Sequence, residues 1–284
     1  MSSLIEAKNL SKNYGSHQAL KSVNFSVERG RIVGLVGPNG AGKTTILKAI
    51  LGLTSYDGDL KVLGMDPARQ RHQIMKKVSF IADVAILPKW LKVKEAVQFV
   101  TETHPNFNLE RAEYFLSKTK ISRESKVREL SKGMVAQLHL ALVMSIEAEL
   151  LVLDEPTLGL DILYRKEFYN QLLAEFFDEG RSILVTTHQI EEIENLLTDL
   201  LFIKDGEIVL DASMDEIADR YVEVMVGKEN TEQAEALNPV MQRDVFGRKV
   251  YLFDGVDRET LDAIGELHSP SVADLFVAKM REKN

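Results

Sequence analysis

The sequence contains no cysteine, which excludes disulfides, thiol catalysis and cysteine-ligated metals. A reducing compartment fits that absence. Long apolar runs are missing too. Leu150-Leu151-Val152-Leu153 ends after a few residues, far below the ~20 needed for a helix to cross a bilayer. Met1-Ser2-Ser3-Leu4-Ile5-Glu6 has neither a basic segment nor an apolar stretch, so no signal peptide is expected. Nor is there an excess of basic residues: the net charge is −8, which argues against a general nucleic-acid binder. No low-complexity tract or internal repeat stands out. With 45% hydrophobic and 27% charged residues over 284 positions, the composition is that of one large globular domain, or one domain with a small appendage.

Short β-like runs alternate with turn signals in the first thirty residues. Asn24-Phe25-Ser26-Val27 alternates polar and apolar before the turn Glu28-Arg29-Gly30. Ile32-Val33-Gly34-Leu35-Val36 is continuously apolar, the pattern of a strand buried on both faces. Helical spacing follows at 45–51 and, interrupted by Pro105, over 93–144. Residues 150–153 and 182–186 predict two more buried strands, with helices over 162–177 and 191–197. Lys204-Asp205-Gly206 between two apolar runs signals a hairpin. Strands alternating with helices predict a mainly parallel α/β core. After about Arg220 the texture changes: 227–242 is polar, 249–253 strand-like, 259–264 and 272–280 helical. This predicts a boundary between domains 1–220 and 221–284, the second a small accessory unit.

Gly37-Pro38-Asn39-Gly40-Ala41-Gly42-Lys43-Thr44 matches the phosphate-loop pattern in full. Its glycines let successive backbone N–H groups point inward as an anion nest, and the following helix amino end favours phosphate. Lys43 suits the β- and γ-phosphates, and the Thr44 hydroxyl suits Mg²⁺. A random chain of this length matches about once in a hundred. Here the match sits between a buried strand and a helix, where the mechanism needs it. Next, Asp154-Glu155 closes a buried strand, at the sheet end where ligands of open α/β sheets bind. Asp154 suits the metal through water, and Glu155 suits the attacking water. The bland alternative for this pair is the start of a solvated loop.

Four further motifs carry a resemblance. Leu130-Ser131-Lys132-Gly133-Met134 opens a helix ahead of the acidic strand, Leu158-Gly159-Leu160-Asp161 follows it, His188 ends the run Leu184-Val185-Thr186-Thr187, and Tyr14 lies in Leu10-Ser11-Lys12-Asn13-Tyr14-Gly15. Alone, a histidine or tyrosine is more often structural; the order and spacing of all six motifs resemble the nucleotide-binding domain of ABC ATPases over about residues 4–220. The resemblance implies a P-loop NTPase core with a mainly parallel sheet, an antiparallel β subdomain and a helical subdomain at about 91–146, followed by the α+β appendage. It implies ATP and Mg²⁺ as cofactors. The nucleotide would meet Tyr14, Gly37 to Thr44, Thr45, Ser131, Gly133 and Asp161. The metal would meet Thr44, Asp154 and Asp83, and catalysis would involve Lys43, Glu155 and His188.

Two departures qualify it. Lys132 and Met134 stand where the signature usually has a second glycine and a glutamine, as in subunits of ABC-2-type exporters. Asp83 stands where the family has its Q-loop glutamine, which suggests slower or differently tuned hydrolysis or coupling. Beyond it, 84–91 is apolar for a loop and holds the only tryptophan, Trp90, which suits a groove for a membrane partner. The expected protein is an ATPase subunit on the inner, cytoplasmic face of the cell membrane, bound to a separate transmembrane permease. Carrying one set of motifs, it would form a homodimer or pair with a related ATPase, without nucleic acid. The competing readings are a soluble ABC ATPase acting on ribosomes or DNA, a P-loop phosphotransferase, and a weakly hydrolytic regulatory subunit.

Overall fold

The apolar run at 32–36 forms strand β3 (Ile32–Val36), and all five of its residues are buried. It lies inside a six-stranded sheet ordered β5 (Val78–Ile81), β6 (Leu150–Asp154), β7 (Ser182–Thr187), β3, β8 (Asp199–Lys204), β9 (Glu207–Ser213). The first five strands run parallel, and β9 returns antiparallel to β8. That hairpin turns at Asp205 (φ 48°) and Gly206 (φ 83°), two left-handed residues that match the twist of the strands they join. The computed structural model describes residues 3–82, 87–158, 160–176, 181–187, 190–245 and 247–281.

A second, antiparallel sheet is ordered β2 (His17–Glu28), β1 (Ser3–Tyr14), β4 (Asp57–Val62). Its apolar face packs on helix α1 (Lys43–Ile50), so Leu4, Leu10 and Leu20 share one core with Ile46, Leu47 and Ile50. Helix α2 (Pro67–Ile74) follows, begun by Pro67 and capped by Asp66, whose carboxylate accepts from the Ala68 N–H. Three helices, α3 (Val93–Thr103), α4 (Leu109–Ser117) and α5 (Lys132–Met144), enclose a separate core that includes Val93, Val97, Leu116 and Leu138. Helix α6 (Ile162–Phe176) joins β6 to β7 in sequence.

One expectation is corrected. Residues 191–197 do not form an α-helix; they form two short 3-10 turns, Ile190–Glu192 and Glu194–Leu196. Ile190, Ile193 and Leu197 are buried with the spacing of an α-helix face, but the backbone leaves helical geometry at Ile193 (φ −122°), which splits the segment into two turns.

Helix α7 (Met214–Arg220), capped reciprocally by Ser213 and Glu216, leads into a third sheet. This sheet is antiparallel, ordered β11 (Met241–Val245), β12 (Arg248–Asp254), β10 (Tyr221–Val226), β13 (Gly265–His268). Two short helices, α8 (Thr231–Ala236) and α9 (Arg258–Asp262), flank it in sequence, and helix α10 (Val272–Arg281) comes last. α10 turns back toward the main sheet, and its Val272, Leu275 and Ala278 share a core with Ile190, Ile193 and Phe202. Among the described residues, no helix is long and apolar enough to cross a membrane.

Candidate nucleotide-binding site

Where β3 ends, Gly37 to Gly42 turn the chain into α1. A Cβ at Gly37 would lie 2.4 Å from the Ile203 carbonyl oxygen, so close packing against β8 demands glycine there. Gly42 caps α1 at φ 115°, a conformation that favours glycine, and no side chain bonds the helix amino end. That end therefore presents its first N–H groups and partial positive charge to an anion. Ala41 is buried, and its N–H closes the loop on the Pro38 carbonyl at 3.1 Å. The Lys43 ammonium, in a residue 8% exposed, donates to the carbonyls of Gly37 at 2.6 Å and Pro38 at 3.3 Å. Burial holds its pKa below the ordinary lysine value, against the opposing pull of the Glu155 and Asp154 carboxylates.

The sheet order sets the rest. β7 lies between β6 and β3, and parallel pairing puts Thr186 beside Asp154. The Thr186 hydroxyl donates to Asp154 Oδ1 at 2.7 Å, and accepts from the Glu155 N–H at 3.1 Å. From α1, the Thr44 hydroxyl donates to Asp154 Oδ2 at 3.4 Å. Both oxygens of this buried carboxylate thus have partners. Glu155 has φ 48°, uncommon for a residue with a side chain and costing about 1–3 kcal/mol, as strained residues at functional sites do.

Tyr14 ends β1, at the tip of the hairpin into β2, and is half exposed. The Thr54 side chain, and to a lesser extent that of Thr45 on α1, draws its phenol below the usual tyrosine pKa, against the opposing effect of burial. Tyr14, Pro38, Asn39, Gly40, Gly42 to Thr45, Asp154 and Glu155 line one polar cleft of about 390 Å³. Gly37 and Ala41 shape the loop behind it.

Ser131, Gly133 and Asp161 do not line this cleft. Ser131 caps α5, its hydroxyl accepting from the Met134 N–H at 3.2 Å. Gly133 packs against the Tyr164 ring of α6, which a Cβ would meet at 3.2 Å. Asp161 caps α6 by accepting from the N–H groups of Leu163 and Tyr164, both at 3.1 Å. Near it Leu158, Ile162 and Leu163 are exposed. Asp83 and His188 lie outside the described residues, as do Gly159 and the start of the apolar loop, 84–86. Of that loop's remainder, Leu87 and Leu91 pack on the α3–α5 core and Trp90 is 68% exposed. The sequence reading missed Thr186 as a site residue and Tyr164 as the cover of Gly133; both depend on pairings between distant segments.

The family model described as ABC transporter matches residues 20–158. The SkfA peptide export ATP-binding protein SkfE of Bacillus subtilis (strain 168) is 34% identical over 214 residues, 73% of this chain and 88% of the relative. The chain belongs to the ABC transporter ATP-binding family. The lantibiotic transport ATP-binding protein SrtF of Streptococcus pyogenes is 32% identical over 215 residues, 75% of this chain and 92% of its own. A solved ATP-binding subunit of an ABC transporter superposes with a TM-score of 0.69 at 26% identity, covering 76% of this chain and 92% of that one. As an ABC ATP-binding subunit, the chain binds nucleotide and is an ATPase that powers transport through a separate transmembrane partner.

Proposed function

We propose that this subunit drives export, and that its ATP site is completed only across a dimer. The carrying observation is the separation of two sets of residues. Tyr14, the phosphate loop, Asp154 and Glu155 share one cleft, while Ser131, Gly133 and Asp161 lie elsewhere on the same chain. Head-to-tail pairing would bring the signature residues of one copy onto the cleft of the other. One chain carries one set of motifs, so a homodimer satisfies both sites. Exposed Leu158, Ile162 and Leu163 beside Asp161 supply apolar surface for that contact.

Within the cleft, the adenine stacks on Tyr14 and the phosphates lie along the loop and the α1 amino end. Lys43 exchanges its carbonyl partners for phosphate oxygens and stays charged beside them. Thr44 and Asp154 offer a hydroxyl and a carboxylate, a donor set that fits Mg²⁺, which keeps most of its waters and shares phosphate oxygens. Bound there, the ion would offset the triphosphate charge. The Glu155 carboxylate accepts a hydrogen bond from the attacking water and orients it in line with the γ-phosphate. His188 at the γ-phosphate and Asp83 near the metal complete the set that the resemblance implies.

The export direction draws support from the relative named for peptide export and from the departures at Lys132 and Met134. The subunit would dock peripherally on the inner face of the membrane, with residues 221–284 as an accessory domain. Affinity purification from gently solubilised native membranes, followed by mass spectrometry, tests this. A co-purifying multi-span membrane protein of an exporter is the expected result. Ribosomal or DNA-repair proteins without a membrane partner would overturn it.

A further inference from the structure

Arg165 sits one turn beyond Asp161 on α6, and long helical side chains lean back toward the helix amino end. Its guanidinium reaches two segments at once. Nε donates to the Leu160 carbonyl at 2.7 Å, and Nη1 pairs with Glu192 Oε1 at 2.6 Å. The pair is largely shielded, its side chains 17% and 24% exposed. Leu160 belongs to the loop that runs from Glu155 to Asp161. Glu192 ends the first 3-10 turn after β7, the strand that carries Thr186.

Three other contacts extend this link. Tyr169, one turn further along α6, shares a hydrogen bond with Thr157 at 3.3 Å, so the helix also holds the loop close to Glu155. Burial mainly pushes the Tyr169 phenol up to about 12, and Glu192 and Glu155 both add to the shift, so the ion pair and Glu155 are electrostatic neighbours. On the far side, the Val272 N–H of α10 donates to Glu194 Oε1 at 3.1 Å, and Val272, Leu275 and Ala278 pack with Ile190 and Ile193. Among the described residues, the second oxygen of Glu192 is buried without a hydrogen-bond partner.

We propose that Arg165 is a positioning residue for ATP hydrolysis. It braces the 155–161 loop against segment 190–196, which α10 backs in turn, so the accessory region bears on the geometry around Glu155. The proposal rests on the ATPase reading of the cleft. Arginine is required because its planar fork serves a carbonyl and a carboxylate together; lysine supplies the charge but a single point of contact.

The test uses the full-length chain in six forms: wild type, Glu155→Gln, Arg165→Gln, Arg165→Lys, Glu192→Gln and the double variant Arg165→Gln/Glu192→Gln. Turnover and KM for ATP with Mg²⁺ are measured beside equilibrium affinity for a fluorescent ATP analogue and thermal unfolding. Loss of the brace should lower kcat about tenfold to a hundredfold in Arg165→Gln, as small misplacements of a catalytic group do. Affinity should stay nearly constant. Arg165→Lys should fall between it and wild type, and the double variant Arg165→Gln/Glu192→Gln should be no slower than Arg165→Gln. If Arg165→Gln does not fold, Arg165→Lys and Glu192→Gln decide by the same split. Unchanged kcat, or kcat and affinity falling together in a variant that unfolds normally, overturns the brace while leaving the ATPase reading intact. A wild type without Glu155-dependent hydrolysis overturns that reading, and the brace with it.

Discussion

Two helix amino ends of this molecule carry the same kind of device in opposite states. At α1, the phosphate loop, a buried lysine, a tyrosine and two carboxylates converge on one cleft, and no side chain caps the helix. At α5, the signature residues stand outside any such gathering: the Ser131 hydroxyl is occupied by its own helix cap, and Gly133 lies against Tyr164. The first region has what it needs to bind nucleotide. The second has a hydroxyl and a helix amino end, but neither lines the cleft that holds the phosphate loop. The difference predicts that mutations at the α5 amino end spare nucleotide affinity in the lone chain, while within the α1 cleft Lys43 serves affinity and Glu155 serves turnover.

The sharpest way to test that split is Glu155→Gln. Turnover should fall about 10²- to 10⁴-fold, the range for a lost general base, with ATP affinity nearly unchanged. Light scattering should then show an ATP-dependent dimer. Rapid hydrolysis, or a monomer at saturating ATP, would break the comparison at its strongest point. Next come Lys43→Ala and Ser131→Ala, compared in dilute protein. Removing Lys43 takes away charge-assisted bonds of about 1.5–3 kcal/mol, so affinity should drop about tenfold to a hundredfold by titration. Ser131→Ala should leave that affinity alone and slow turnover about tenfold, for one hydrogen bond lost across the dimer. Equal losses of affinity in both variants would merge the two regions into one. Tyr14→Ala should weaken ATP binding by about 1–3 kcal/mol, the worth of one stacked base, whereas Tyr14→Phe should stay close to wild type.

The smallest effect concerns pH and belongs to the signature helix alone. His139 of α5 has a ring nitrogen, Nε2, that is buried and without a partner among the described residues, and burial pushes its pKa from 6.5 down to about 4. Between those values the unfolded chain binds more protons than the folded one, so this residue's contribution to stability is full above pH 6.5 and is lost as pH falls toward 4. Denaturant unfolding at pH 7 and 4.5 should show wild type losing on the order of 1–2 kcal/mol more than His139→Gln. Identical pH profiles would remove His139 as the cause.

What the sequence made legible was chemistry carried by neighbours in the chain. Gly37 to Thr44 and Asp154-Glu155 announce themselves because the phosphate nest and the carboxylate pair are built from consecutive residues. Thr186 was hidden: it matters only because β7 pairs with β6 in a register that sets it opposite Asp154. Tyr164 became visible only once α6 was seen packed on α5. β10 was missed because Glu223 breaks its apolar pattern, and that acid is buried only because Arg243 of β11 meets it at 2.6 Å. The helix expected at 191–197 failed although Ile190, Ile193 and Leu197 keep helical spacing, because the backbone breaks at Ile193, which side-chain pattern does not reveal.

The perch of Tyr14 has a last consequence. Two strands of twelve residues each carry the ring out to the hairpin tip, where it is half exposed. Stacking on such a ring would engage a nucleobase by its flat face, which purines and pyrimidines all possess, and not by the edges that tell them apart. Triphosphates carrying other bases would then serve as fuel nearly as readily as ATP.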